Sequence, residues 1–265
     1  MKLNDKQILI DAVRDAEMVL VGVGEEWGVS FEQMMQEASF AENVSKLTDD
    51  DMKNRLVPVL QREYLKQIHE EKLQKAYDNL VRLIKDKNYF VVSMNKDRYP
   101  VLAGLKEEKC VFPCGGYDLF QCDAGCTDEL TDASAWSDEI YERISCGKDP
   151  AEIFVPKCQK CGNDTVYNNI EAMKYVEAGY LPAWEYYRKW LQRTVNKKLC
   201  LIEMGVSLRF PSVIRWAFEK TAYYNQKAKM FRIHHSLSQP AENISGRCYS
   251  CDENSVAYMA NLFVS

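Results

Sequence analysis

The chain has 265 residues, 46% hydrophobic and 28% charged, with a formal net charge of −5. That length allows one large domain with an insertion or two small ones, and the composition is that of an ordinary globular chain without low-complexity tracts. The acidic balance argues against nucleic-acid binding, whose affinity comes mainly from clustered Lys and Arg.

The opening MKLNDKQILIDAVRDAEMVL carries acids within its apolar stretch and no small-residue cleavage site. It reads as neither a signal peptide nor a membrane span, which points to a cytoplasmic protein with reduced thiols. Ile8, Leu9, Ala12, Val13 and Ala16 recur at helical spacing, and Met18 to Gly22 is a short apolar run that predicts a buried strand. Next comes Val21-Gly-Val-Gly24-Glu-Glu-Trp-Gly28-Val-Ser30, a glycine-bearing turn between a strand and a helix, the position of a phosphate-cradling loop. Residues 31 to 88 carry helical periodicity, as in Leu73, Ala76, Tyr77, Leu80 and Ile84, and predict several helices.

Tyr89 to Ser93 predicts a second strand, with the polar residues Asn95, Lys96, Asp97 and Arg98 at its carboxyl end. Lys109 to Phe112 predicts a third. Further on, the pattern predicts a helix near Ser137 to Ile144, a helix over Pro182 to Val195, a strand at Leu199 to Met204 ending in Gly205-Val-Ser207, and a helix from Pro211 to Tyr224. Strands at Lys229 to His234 and Arg247 to Ser250 and a helix from Glu253 to Leu262 close the chain. Trp184, Tyr187 and Trp190 share one helical face and are expected to pack in the core. Alternating strands and helices argue for an α/β fold, a Rossmann-like open parallel sheet with helices on both faces and ligand at the carboxyl ends of the strands.

Of ten cysteines, four form two close pairs, Cys122-Asp-Ala-Gly-Cys126 and Cys158-Gln-Lys-Cys161, the second flanked by Pro156 and Gly162. Such spacing predicts a structural zinc site, in which four thiolates fill a tetrahedral shell and leave no position for a catalytic water. The small zinc module is expected to span 113–195 as an insertion, with 1–112 and 196–265 forming the larger domain. Cys110, Cys146, Cys200, Cys248 and Cys251 are expected to be small buried residues in or near strands.

This order of motifs resembles the sirtuin family from about Asp15 to Leu262. Gly22 to Gly28 stands at the family's Gly-Ala-Gly loop, Ser93-Met-Asn95-Lys-Asp97 at its Thr-x-Asn-x-Asp, the four cysteines at its zinc ribbon, and Gly205-Val-Ser207 at its Gly-Thr-Ser loop. Gly115 to Cys122, Ile153 to Gly162 and Leu201 to Ile214 are similar to class M sirtuins, a branch that includes bacterial enzymes that ADP-ribosylate a lipoyl-carrier protein. The resemblance implies structural zinc, NAD as cosubstrate, and transfer of ADP-ribose to a protein acceptor. It implies cofactor contacts at Gly22, Gly24, Gly28, Gly205, Ser207, His234 and Asp252, and catalytic roles for Asn95 and Asp97. As a plain local reading, the same Asn and Asp suit an Asx turn that ends a strand.

Two departures stand out. Cys114 occupies the position of the family's histidine base and is the third catalytic candidate, able to serve as a base only as a thiolate, so deacylation ranks below ADP-ribosyl transfer. The phosphate loop is about two residues short and carries Glu25 and Glu26, which would repel a pyrophosphate unless they turn outward to cap the following helix. Besides an ADP-ribosyltransferase, the sequence therefore supports a catalytically inactive module that binds NAD, ADP-ribose or a protein. A further alternative is an interaction protein with a closed pocket. Trp27 discriminates: outward it leaves room for a nucleotide, and buried in the cleft it indicates closure.

Overall fold

The computed structural model describes residues 2–148 and 154–264, so Ile153 of the second cysteine motif lies outside the described residues. Six strands form one wholly parallel sheet: β1 (Met18–Val23), β2 (Asn88–Ser93), β3 (Cys110–Val111), β7 (Leu199–Met204), β8 (Lys229–Ile233) and β9 (Cys248–Cys251), in the order β3-β2-β1-β7-β8-β9. Between them β4 (Gly115–Cys122), β5 (Thr131–Asp132) and β6 (Thr165–Asn169) make a small antiparallel sheet, ordered β5-β4-β6. The chain leaves β1 in one direction to build β2 and β3 and returns on its other side to build β7, β8 and β9. The carboxyl ends of β1 and β7 are therefore the switch point at which open α/β sheets bind ligands.

Burial on both faces explains the apolar runs. Every residue of β1 and β7 is buried, as a sheet covered by helices on both sides requires. Val19, Val21 and Val23 face one cluster with Tyr77, Leu80 and Met259, and Met18 and Leu20 face the other with Tyr187, Trp190 and Phe218. The first face is covered by α1 (Lys2–Asp15), α5 (Glu71–Ile84) and α10 (Ser255–Ala260). The second is covered by α8 (Leu181–Gln192) and α9 (Arg215–Tyr224). Beside α1 and α5 the chain adds α2 (Phe31–Met34), α3 (Ala38–Ser45) and α4 (Asp50–Tyr64). After β2 comes α6 (Tyr99–Leu102), and α7 (Ser134–Ser145) packs on α4. The α8 helix, inside the 113–195 segment, lays Tyr187 and Trp190 on Phe90 of β2.

The expectation for the remaining cysteines holds at Cys110 and Cys200, which are buried. It fails at Cys146, an exposed cap of α7, and at Cys248 and Cys251, half-buried because β9 is an edge strand. Among the described residues no helix is long and apolar enough to cross a membrane.

Candidate functional site

The loops that leave β1 and β7 meet at the switch point, and glycine makes the contact. A side chain on Gly24 would place its Cβ 2.2 Å from the Gly205 carbonyl oxygen, and one on Gly205, whose φ is +63°, would meet the Glu26 Cβ at 2.4 Å. The two loops are also stitched by hydrogen bonds: Gly24 N–H donates to the Met204 carbonyl at 2.8 Å, and Glu26 N–H to the Gly205 carbonyl at 3.3 Å. Gly22 acts differently. It lies within β1, where a Cβ would meet the Ile214 Cγ2 at 2.5 Å, so its absence lets the segment entering α9 press onto the sheet.

The two acids of the loop turn inward. The Glu25 carboxylate accepts from the Ser207 N–H at 3.0 Å and the Ser207 hydroxyl at 2.8 Å. The Glu26 carboxylate accepts from the Ser255 N–H at 2.6 Å, the Ser255 hydroxyl at 2.5 Å and the His235 N–H at 3.0 Å, with the His235 Nδ1 2.5 Å away. Burial works to raise the Glu26 carboxyl, but the bonds from Ser255 and His235 outweigh it and hold the group below its ordinary value. Between the acids and α5, Trp27 is fully buried. Its indole N–H donates to the Ser255 hydroxyl at 2.9 Å, and its ring meets Tyr77 edge-on at 4.7 Å.

Asn95 and Asp97 sit at the carboxyl end of β2 and are buried. The Asn95 amide donates to the Gly24 carbonyl at 3.0 Å, and its Oδ1 lies 2.7 Å from where a Gly28 Cβ would stand, so Asn95 braces the loop after β1. The Asp97 carboxylate accepts from the Tyr99 N–H at 3.0 Å, an Asx turn that starts α6. Burial pushes its carboxyl up to about 7. Cys114 is buried close enough to Glu25 to feel its charge. Burial first, then Glu25, push its thiol up to about 11, the opposite of what a thiolate base needs.

At the far side, the His234 Nδ1 accepts from the Ser236 and Leu237 N–H groups, and its ring stacks on the exposed His235. Burial holds the His234 imidazole below its ordinary value, so it is neutral at pH 7. Asp252 accepts a hydrogen bond from the Ser238 hydroxyl. The structure thus brings Gly24, Gly28, Gly205, Ser207, His234 and Asn95 around one loop, while Gly22 serves packing and Asp252 and Asp97 bond elsewhere. Sequence reasoning missed Ser255 and the His235 backbone. The signal for Ser255 was Asn254, which caps α10 with a bond to the Ala257 N–H.

A buried charge network lies under the same loops. Glu203 of β7 accepts from Arg232 of β8 through two bonds, at 2.8 and 3.0 Å, and Arg232 also pairs with Glu219 at 2.8 Å. Arg215 reaches the carbonyls of Leu237 and Gln239, which ties down the loop after β8.

In the small sheet the sulfurs of Cys122, Cys126, Cys158 and Cys161 all lie within 4.8 Å of one another, with Cys122–Cys161 and Cys126–Cys158 at 3.5 Å. A tetrahedral metal with Zn–S distances of about 2.3 Å holds its sulfurs about 3.8 Å apart, so the four fit zinc closely. Gly125 and Gly162, at φ of +60° and +75°, turn the two knuckles.

No protein-family model matches the chain. Solved structures do. Sir2Tm bound to a propionylated peptide covers 99% of this chain and 97% of its own at a TM-score of 0.54 and 15% identity. A Sir2 homologue in complex with ADP-ribose covers 97% and 94% at a TM-score of 0.56 and 11% identity. This chain has the sirtuin fold. A curated protein of Fusarium oxysporum f. sp. cubense, named as a probable bifunctional ADP-ribose hydrolase/ADP-ribosyltransferase, is 24% identical over 155 residues. The match spans 54% of this chain and about a quarter, 25%, of that relative.

The sirtuin fold implies NAD, and the residues at the switch point do not fit it as they are folded. The N–H groups of Gly24 and Glu26 are spent on carbonyls of the β7 loop, and those of Trp27 and Gly28 on Gly24 and Glu25. The donors of Ser207 and Ser255 are spent on carboxylates. A pyrophosphate held by the Ser207 and Ser255 donors would have to displace both carboxylates.

Proposed function

We propose that this chain is a catalytically inactive sirtuin-fold module, a scaffold for contact with other proteins whose dinucleotide cleft is closed by its own loop. One observation carries the reading: the Glu25 and Glu26 carboxylates occupy, from within the chain, the donors that Ser207, His235 and Ser255 would otherwise offer to a phosphate. Cys114, kept protonated by burial, supports it, and Trp27, packed in the core against Tyr77 and bonded to Ser255, holds the loop in this form. Titration calorimetry with NAD and ADP-ribose tests it. No binding of either ligand at millimolar concentration, with no nicotinamide release, is the expected result. Micromolar NAD binding with nicotinamide release by the wild-type chain would overturn it.

A second reading, NAD-dependent ADP-ribosyl transfer to a protein acceptor, is favoured by the name of the fungal relative and by the sirtuin neighbours bound to ADP-ribose. It needs both carboxylates to swing out, after which Asn95 and Asp97 would meet the nicotinamide end, with Gly24, Gly205, Ser207 and His234 along the dinucleotide. The class M likeness and a lipoyl-carrier acceptor belong to this reading. Deacylation ranks below it, because Cys114 holds its proton.

In either reading zinc would be held by Cys122, Cys126, Cys158 and Cys161, and it would tie the small sheet of the 113–195 segment together without leaving a site for substrate.

A further inference from the structure

A second concave surface lies on the opposite flank of α9, away from the closed cleft. It is a groove of about 420 Å³ between α8 with its following turn and the outer face of α9. Leu191 and Val195 line one wall, and Ala217, Thr221 and Tyr224 the other. Positions 217, 220, 221 and 224 follow the i, i+3, i+4, i+7 rule along α9, and 188, 191 and 192 of α8 continue at the same spacing into Val195 of the turn after it, so two stripes face each other across the groove. The inner face of α9, with Phe218 and Ala222, is already spent on the sheet. The outer face leaves Tyr224 72% exposed and, across the groove, Val195 66% exposed.

Charge selects the occupant. Arg188 and Lys220 stand on opposite walls, and among the described residues that line the groove there is no carboxylate to pair with either. In a chain with a net charge of −5, a groove lined by two cations and no acid is a local reversal of sign. Two facing stripes of helical spacing suit a third helix laid between them. We propose that this groove docks an acidic amphipathic helix of a partner protein, with apolar side chains at i, i+3, i+4 and i+7 in the groove and Glu or Asp on both flanks. A second copy of this chain would bring like charges together across the groove, and the apolar lining does not suit a phosphate backbone. The inference concerns a surface outside the cleft, so it stands whichever reading of the cleft is right.

The test uses two fluorescein-labelled helical peptides of about five turns, with the same Leu and Trp stripe and either Glu or Lys on the flanks. Anisotropy is read against the zinc-loaded full chain. The Glu-flanked peptide is expected to bind at least about tenfold more tightly than the Lys-flanked one. Arg188→Glu with Lys220→Glu is expected to reverse that order, and Ala217→Trp, which fills the groove, to abolish both. Equal affinities, binding indifferent to these substitutions, or no binding of the Glu-flanked peptide would overturn the proposal. So would a dimer in sedimentation that Ala217→Trp dissolves, because a second copy would then be the occupant. NAD calorimetry on the same variants keeps the two questions apart.

Discussion

The Glu26 carboxylate accepts hydrogen bonds from both the N–H and the hydroxyl of Ser255, at 2.6 and 2.5 Å, across 229 residues of sequence. This pair joins the first strand's loop to the last helix and occupies donors at the edge of the switch point with an internal anion. Its energy should be visible. Replacing Glu26 by Ala removes charge-assisted bonds and leaves buried donors unpaired, which costs about 1–3 kcal/mol, read as a lower urea midpoint at pH 7. A midpoint equal to the wild type would mean that the loop is not anchored there.

The same contact has a pH signature. The Glu26 carboxyl is lowered by Ser255 and His235 against the effect of burial, so its contribution is present above the unfolded carboxylate value and is lost as pH falls through the folded one. Wild-type stability should therefore fall more steeply below about pH 4 than that of Glu26→Gln. Parallel curves for the two proteins would remove Glu26 from the acid transition.

Asp97 should behave with the opposite sign. Burial raises its carboxyl to about 7, so the folded chain favours the protonated form. That preference is fully felt below the unfolded value and is lost as pH rises through about 7. Asp97→Asn keeps the oxygen that accepts from the Tyr99 N–H and never ionises. Its stability relative to wild type should rise between pH 5 and pH 8, read as the difference in urea midpoints. A constant difference would mean that Asp97 is ionised and solvated throughout that range.

Much of this architecture was legible in the sequence. The apolar runs at 18–22, 89–93 and 199–204 became adjacent strands because a sheet covered on both faces needs continuous apolar segments, and local pattern records that need. The four cysteines converge because each pair is built on its own tight turn. The small sheet was less legible. Gly115 to Cys122 mixes glycine, acid and aromatic residues, and its partner at 165–169 is set by long-range pairing. The destinations of Glu25 and Glu26 could not be read either, since an acid beside a glycine turn can cap a helix or turn inward. The deciding donors, at 207, 235 and 255, meet them only once the sheet order is set. Glu203 and Arg232 were visible as charges within apolar strands, but only the register that aligns them makes them a pair.

That pair supports the last prediction. Glu203 and Arg232 are 1% and 0% exposed, and burial raises the Glu203 carboxyl even with Arg232 beside it. Arg232→Leu leaves Glu203 with only the more distant Arg215, at 3.4 Å, and breaking one side of a buried ion pair costs about 3–5 kcal/mol. Glu203→Leu with Arg232→Leu removes both charges and leaves Arg215 and Glu219 as opposite signs, so the double variant should be more stable than Arg232→Leu alone. The comparison is made by urea denaturation at pH 7. A double variant no better than the single one would mean that the network stabilises the fold through its hold on the loop carbonyl of Gln239 rather than through charge compensation.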